Sequence, residues 1–211
     1  MELGKVQQAA VACFAQRGFA ATGIRELGTA VGLNSATLYH YVGGKEDLLV
    51  GIMNDCLNAM ISGAKQALSS SSDPVRQLAL LVAFHVGFTA TNPNTARVTE
   101  YEMRALSAKA REQMQELRDA YEQLFADALK AGERQGSFNT VDLGISRLAL
   151  MEMGTGVSHW YRPDGRLSLA EVQLNFISLA MRLLAVPDEF PLTPEELPVP
   201  RVIASEPTIK D

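Results

Sequence analysis

Residues 19–49 read FAATGIRELGTAVGLNSATLYHYVGGKEDLL, and the fold turns on this stretch. Ile24, Leu27, Ala30 and Val31 fall at helical spacing behind Thr22, a residue type that caps helix starts, and Gly32 supplies the permissive backbone that ends a helix sharply. The chain restarts at Asn34 or Ser35, either of which can cap a second helix running from Ala36 to Tyr41. In that helix Leu38 faces back toward the first, while Thr37, Tyr39, His40 and Tyr41 turn hydrogen-bonding groups outward. Two short helices joined by a glycine turn are the grammar of a helix-turn-helix, whose first helix crosses the phosphate backbone and whose second enters the major groove. Reading base edges takes hydroxyl, amide or imidazole groups rather than aliphatic chains, and this helix carries them. Gly43 and Gly44 break it, and Lys45 opens the next helix, where an ammonium and free N–H groups together suit a phosphate. The competing reading is a helical hairpin whose tyrosines shield a small core.

Phe14, Gly18, Phe19, Thr22, the Ile24-to-Leu27 spacing, Ala30, Gly32, Leu38, Tyr39, Lys45, Leu48 and Leu49 resemble the TetR family of transcriptional regulators across residues 1–50. The resemblance implies that Thr22, Thr37, Tyr39, Tyr41 and Lys45 touch double-stranded DNA, and that Ser35, Ala36 and His40 lie where bases or nearby phosphates are met. The chain departs from the family pattern at Val42, where an aromatic is usual, and at Gly43, where a polar or basic residue is usual. Its leading arm carries only Lys5 as a base. Within residues 1–50, Lys5, Arg17, Arg25 and Lys45 balance Glu2, Glu26, Glu46 and Asp47, so nonspecific DNA affinity should be modest and salt-sensitive.

A chain of 211 residues, 47% hydrophobic with formal net charge -5, is that of a globular protein with a substantial core and not of an indiscriminate nucleic-acid coat. Most of the acidic excess lies beyond residue 50, which leaves specific DNA binding open because the local charge facing the duplex decides it. No run is long and apolar enough to span a bilayer and no secretory pattern opens the chain, so the expectation is a cytoplasmic protein without a membrane partner. Cys13 and Cys56 are far apart among apolar helix positions and read as reduced thiols rather than a disulfide or metal site. Ser158 beside His159 lacks the strand-turn-helix setting of a nucleophile, and no phosphate loop or paired-Cys pattern calls for a cofactor or for catalysis.

Beyond the reader no period-two run appears, and the expected fold is all-α: an N-terminal three-helix helix-turn-helix DNA-binding domain plus a C-terminal helical bundle for ligand binding and dimerisation. The boundaries are 1–50 for the reader, 51–185 for the body and 186–211 for a Pro-rich tail. Helices are expected over 45–68, 74–91, 94–106, 107–135, 140–161 and 169–185, with Asp73-Pro74 and Ser168 as start signals. The prolines 187, 191, 194, 198, 200 and 207 point to an extended, partly mobile tail, or to one that packs across a partner.

Val157, Trp160 and Tyr161 on one helix and Leu169, Val172, Phe176, Leu179, Leu183 and Leu184 on the next give the last hairpin more apolar surface than one face can bury. A two-fold four-helix interface would cover it, giving a homodimer on a palindromic operator. VTEYEMRALS (98–107) and VSHWYRPDGRLS (157–168) resemble a TetR subgroup with members that respond to acyl-coenzyme A thioesters and control fatty-acid or steroid-ring catabolism, implying a small apolar, acyl-CoA-like effector. Val75, Leu78, Val82, His85 and Thr89 place one imidazole on an apolar stripe, and Glu152, Thr155 and His159 recur three and four residues apart where they can meet it. A satisfied internal network, an effector cavity and a divalent metal site all fit that set. The effector is expected among His85, Phe88, Tyr101, Tyr121, Phe125, Met151 and His159, where apolar bulk supplies volume and polar groups orient a carbonyl. The function that follows is a ligand-responsive repressor, the alternative being a helical adaptor or a constitutive DNA binder.

Overall fold

Glycine punctuation sets the reader. A computed structural model of the chain describes residues 2–186 and 192–207, and among them lie ten α-helices, two short 3₁₀ turns and no strand. Helix α1 (Glu2–Arg17) ends where Gly18 takes φ 83° and its N–H reaches the Phe14 carbonyl at 2.9 Å. Helix α2 (Ile24–Ala30) starts one residue later than the capping argument proposed: Gly23 is its N-cap, without a side-chain bond. Thr22 instead donates its hydroxyl to the Gly18 carbonyl at 2.9 Å and is 1% exposed, because the chain doubles back there into the core. The turn to α3 (Ser35–Val42) closes on the Gly28 carbonyl, which accepts from Val31 and Leu33 N–H at 3.1 and 2.8 Å. A Cβ at Gly28 would sit 2.6 Å from the Leu33 oxygen, so only glycine permits this approach. Asn34 caps α3, its side chain accepting from the Thr37 N–H at 2.8 Å.

The helices gather into two compact units. The first takes the described residues of Met1–Ala59, Asn92–Arg118 and Val202–Asp211. It holds α1 to α3, the start of α4 (Lys45–Ser69), α6 (Pro93–Tyr101) with a 3₁₀ turn at Glu102–Ala105, and the start of α7 (Ala108–Arg134). Val6, Phe14, Leu27, Leu38 and Leu49 share one core with Val98, Leu106 and Met114, so the first 50 residues do not close the reader's interior alone. Val42, in place of an aromatic, is buried in that same core.

The second unit takes the described residues of Met60–Thr91 and Asp119–Arg201. Its axis is α5 (Pro74–Thr91), buried continuously from Leu78 to Ala90 and flanked by α8 (Leu143–Thr155) and α10 (Leu169–Leu183). The helix expected over 140–161 is broken at Gly156, which ends α8 and precedes the single turn α9 (Val157–Trp160). Ser168 and Glu171 form a reciprocal capping box at the start of α10.

The tail is not a free arm over residues 192–207. Leu192 and Leu197 are buried, Arg76 pairs with Glu196, and the Gln173 amide donates to the carbonyls of Ala83 and Pro198 at 2.9 and 2.8 Å. Pro200 lies across Gly87, where a Cβ would come within 2.9 Å of its ring. Over these residues proline interrupts helix interiors without forbidding burial, and the intervening leucines offset the cost of ordering the segment. Pro187 and Pro191 lie outside the described residues.

Candidate DNA-reading surface and effector site

Helix α3 buries Leu38 completely and turns its other face outward. Tyr39 and Tyr41 are 48% and 45% exposed, His40 and Ala36 are also exposed, and Thr37 is half-buried. The His40 and Tyr41 rings lie edge to face with centroids 5.9 Å apart. Ser35 opens the helix. Six of the eight sequence-derived DNA residues, Ser35, Ala36, Thr37, Tyr39, His40 and Tyr41, thus occupy one short helix whose register is fixed by the Asn34 cap and Leu38.

Thr22 and Lys45 behave differently, because they meet each other. The Lys45 ammonium donates to the carbonyls of Phe19 and Thr22 at 2.8 and 2.9 Å and stands 4.1 Å from the centre of the Phe19 ring. Lys45 therefore ties the α1–α2 corner to the start of α4, and Thr22 supplies a backbone acceptor while its hydroxyl faces inward. The Phe19 N–H in turn donates to Glu102 Oε1 at 3.1 Å. No local pattern marked Phe19 and Glu102 as a pair; only their meeting across the folded unit shows it.

Charge around the corner is largely consumed. Arg17 pairs with Glu26, and that hydrogen bond pulls the Glu26 carboxyl below its ordinary range and raises the guanidinium. Glu46 accepts from the Ser107 N–H at 2.7 Å, and hydrogen bonds from Ser107 lower it likewise. Cys56 is fully buried and burial pushes its thiol up to about 12, so it is an inert core group. Arg25 remains exposed in the first turn of α2.

In the second unit His85 is 2% exposed on α5 and sits over Gly154 of α8, where a Cβ would come within 2.2 Å of its ring. Its Nε2 lies 3.1 Å from the Met151 carbonyl, which can only accept, so Nε2 carries a proton, and in the neutral ring Nδ1 accepts from the Tyr121 hydroxyl at 2.9 Å. The Thr155 hydroxyl lies 3.3 Å from Nε2. Phe125 meets the imidazole edge-on at 5.7 Å, and Phe88 is buried on the same α5 helix.

This gathers His85, Tyr121, Phe125, Met151 and Thr155, keeps Phe88 on the same helix as His85, and leaves out Tyr101, Glu152 and His159. Tyr101 belongs to the first unit and is 53% exposed. Glu152 and His159 are exposed while His85 is buried. The two histidines and carboxylate that a metal would need are not brought together, and among the described residues no group of three or more His, Cys, Asp or Glu is placed to hold one. Ser158 is buried and donates to the Thr155 carbonyl at 2.9 Å.

A capped recognition helix backed by its own core, with a separate all-helical body, defines a helix-turn-helix DNA-binding regulator. Residues 7–52 match the family model for bacterial regulatory proteins of the tetR family, and residues 71–184, more than half of the chain, match that for the tetracyclin repressor-like C-terminal domain. The chain belongs to the TetR family of transcriptional regulators. It is similar to the HTH-type transcriptional repressor KstR2 of Rhodococcus jostii (strain RHA1), 27% identical over 180 residues covering 84% of this chain and 88% of that protein. The structure of the ketosteroid transcriptional regulator KstR2 of Mycobacterium tuberculosis superposes with TM-score 0.80 at 21% identity, over 86% of this chain and 94% of that one. The structure of AibR in complex with isovaleryl coenzyme A and operator DNA superposes with TM-score 0.76 at 20% identity, over 85% and 97%.

Proposed function

We propose that the chain is a homodimeric repressor that reads a palindromic operator through α3 and leaves it when an apolar, acyl-thioester effector enters the helical body. The observation that carries the reading is α3 itself: a helix fixed by Asn34 and Leu38 that spends its exposed face on two phenols and an imidazole. Ala36, Thr37, Tyr39, His40 and Tyr41 meet the groove, and Ser35 stands at the helix start near the phosphates. Lys45 and Thr22 serve chiefly by holding the corner that positions it.

The body supports the effector half. His85, Phe88, Tyr121, Phe125 and Met151 combine apolar bulk with a hydrogen-bonded imidazole and phenol, which suits an acyl chain with one carbonyl to orient. AibR was crystallised with an acyl-coenzyme A and operator DNA together, which favours that ligand class here. Release requires the effector to bind the DNA-incompetent state better than the competent one, and a hundredfold difference corresponds to about 2.7 kcal/mol.

The dimer rests on α8 to α10, where Ile145, Leu148, Trp160, Leu179 and Leu183 are exposed large hydrophobics and Trp160 stacks on Phe176 with centroids 6.3 Å apart. No helix among the described residues is long and apolar enough to cross a membrane, and the reading places the protein in the cytoplasm with its DNA. Selection of duplexes from a random pool tests the whole proposal. It should return an approximate palindrome with half-site centres about 34 to 36 Å apart, or a multiple. Addition of short and long acyl-CoA thioesters should then release it. Recovery of no preferred sequence would leave a helical adaptor, and a palindrome indifferent to every thioester would leave a constitutive binder.

A further inference from the structure

The N-terminus of α6 is capped by a carboxylate from the far end of the chain. Glu206 is 5% exposed; its Oε1 accepts from the Asn94 N–H at 3.1 Å and the Asn94 side-chain amide at 2.8 Å, and its Oε2 accepts from the Thr95 N–H at 2.8 Å. Asn92, the N-cap residue of α6, accepts from the Ala96 N–H through its backbone carbonyl at 2.9 Å but makes no side-chain cap bond to the helix, and its Oδ1 accepts from the Ile203 N–H at 2.8 Å. Pro93 has no N–H to satisfy, the N–H groups of Asn94 and Thr95 find their acceptors on Glu206, and a negative charge suits the positive end of a helix.

What α6 holds makes this cap more than a tidy end. Val98, one turn on, lies in the core that backs α1 and α3 beside Phe14, Leu27 and Leu38. Glu102, where α6 gives way to the 3₁₀ turn, accepts from the Phe19 N–H, and Phe19 gives its carbonyl to Lys45. All of these residues belong to the first unit. A line of direct contacts therefore runs from Glu206 through α6 to the α1–α2 corner of the reader. The tetracyclin repressor-like match ends at residue 184, so Glu206 lies beyond the segment that the family models describe.

We infer that Glu206 is a positioning residue for DNA recognition: the C-terminal segment fastens α6, and α6 fastens the reading head. This rests on the DNA-binding function proposed above. The sign of the effect separates it from plain electrostatics. Removing an acidic side chain that acts only through its charge strengthens binding to a polyanion, whereas removing a positioning carboxylate weakens it.

The test compares full-length wild type, Glu206→Ala and Glu206→Gln in three measurements: operator affinity by fluorescence anisotropy at several salt concentrations, amide hydrogen exchange, and thermal melting. Glu206→Ala is expected to weaken the operator complex by about threefold to tenfold, the scale of a lost helix cap, with an unchanged salt slope. Exchange is expected to quicken at Asn94 and Thr95 and at Phe19. Glu206→Gln, which keeps one acceptor oxygen and the side-chain volume, is expected to lie between the two, and it carries the comparison if the alanine variant fails to fold. Tighter or unchanged operator binding overturns the assignment, as does quickened exchange confined to Asn94 and Thr95 with Phe19 unaffected. A wild type that selects no operator overturns the function itself, a result distinct from either.

Discussion

The Lys45 ammonium hydrogen-bonds the Phe19 carbonyl at 2.8 Å while standing 4.1 Å from the centre of the same residue's ring. One side chain thereby grips both the backbone and the aromatic face of the corner between α1 and α2. Two of its three N–H groups are used inside the protein, on Phe19 and Thr22.

Lys45→Met keeps much of the stem and removes the grip. It should lower stability by about 1 to 2 kcal/mol, the scale of hydrogen bonds from a charged donor discounted for partial exposure. Operator affinity should fall with it while the salt slope stays within half a unit of wild type. A slope reduced by about one would instead identify Lys45 as a direct phosphate ligand. Thermal melts and anisotropy titrations from low to moderate salt read both quantities.

Within α3, the direct readers should separate from the scaffold. Thr37→Ala should cost about 1 to 3 kcal/mol on the operator and far less on a scrambled duplex, because a lost base contact is felt only where the right base was present. Tyr39→Phe removes one hydroxyl from a side chain that is 48% exposed, so it leaves the melting temperature unchanged and any affinity loss reports contact with DNA. Equal losses on both duplexes for Thr37→Ala would move it from base reading to backbone anchoring.

How far the residues announce this architecture depends on whether the signal is local. Asn34, Gly32, Gly43, Pro74 and Ser168 are punctuation that acts within a few positions, and the helices they bound fall where expected. Thr22 misleads because the same hydroxyl that could cap α2 finds the Gly18 carbonyl first. His159 misleads because residue spacing does not show which face of a helix reaches solvent, and it is exposed where His85 is buried. The grip of Lys45 on Phe19, the Glu102 contact and the Glu206 cap join residues 26, 83 and up to 112 positions apart, and no periodicity encodes such meetings. For the same reason the tail reads as proline-rich coil until Leu192, Leu197 and Glu206 are seen buried.

Gly154 tests the packing of the effector cluster. In an exposed helix, Gly→Ala stabilises by about 0.5 to 1 kcal/mol, but here the new methyl would meet His85 Cδ2 at 2.2 Å. Overpacking costs about 1 to 3 kcal/mol, so the steric term should win and Gly154→Ala should destabilise. Since the methyl collides with His85, the loss should shrink when His85→Ala is already present, and a double-mutant cycle by urea unfolding should show coupling. Additive effects would mean that the ring moves aside freely. The same single variant should weaken any thioester response, because a displaced imidazole leaves the Met151 carbonyl and Tyr121 hydroxyl that now hold it.

Dimerisation makes the final prediction. Leu179 and Leu183 lie one helical turn apart on α10, both exposed, beside the half-buried Phe176 that stacks on Trp160. A charge at Leu183 costs almost nothing if the face meets water and several kcal/mol if it meets a second copy, since an unpaired carboxylate would have to be desolvated. Leu183→Asp should therefore convert a wild-type dimer into a monomer at micromolar concentration, seen by light scattering, with its helical circular dichroism retained. Its operator affinity should collapse to that of a single head on a half-site, while a half-site duplex is bound as well as by wild type. A wild type that scatters as a monomer, or a Leu183→Asp variant that stays dimeric, would remove α10 from the interface and require the two heads to be paired by another surface.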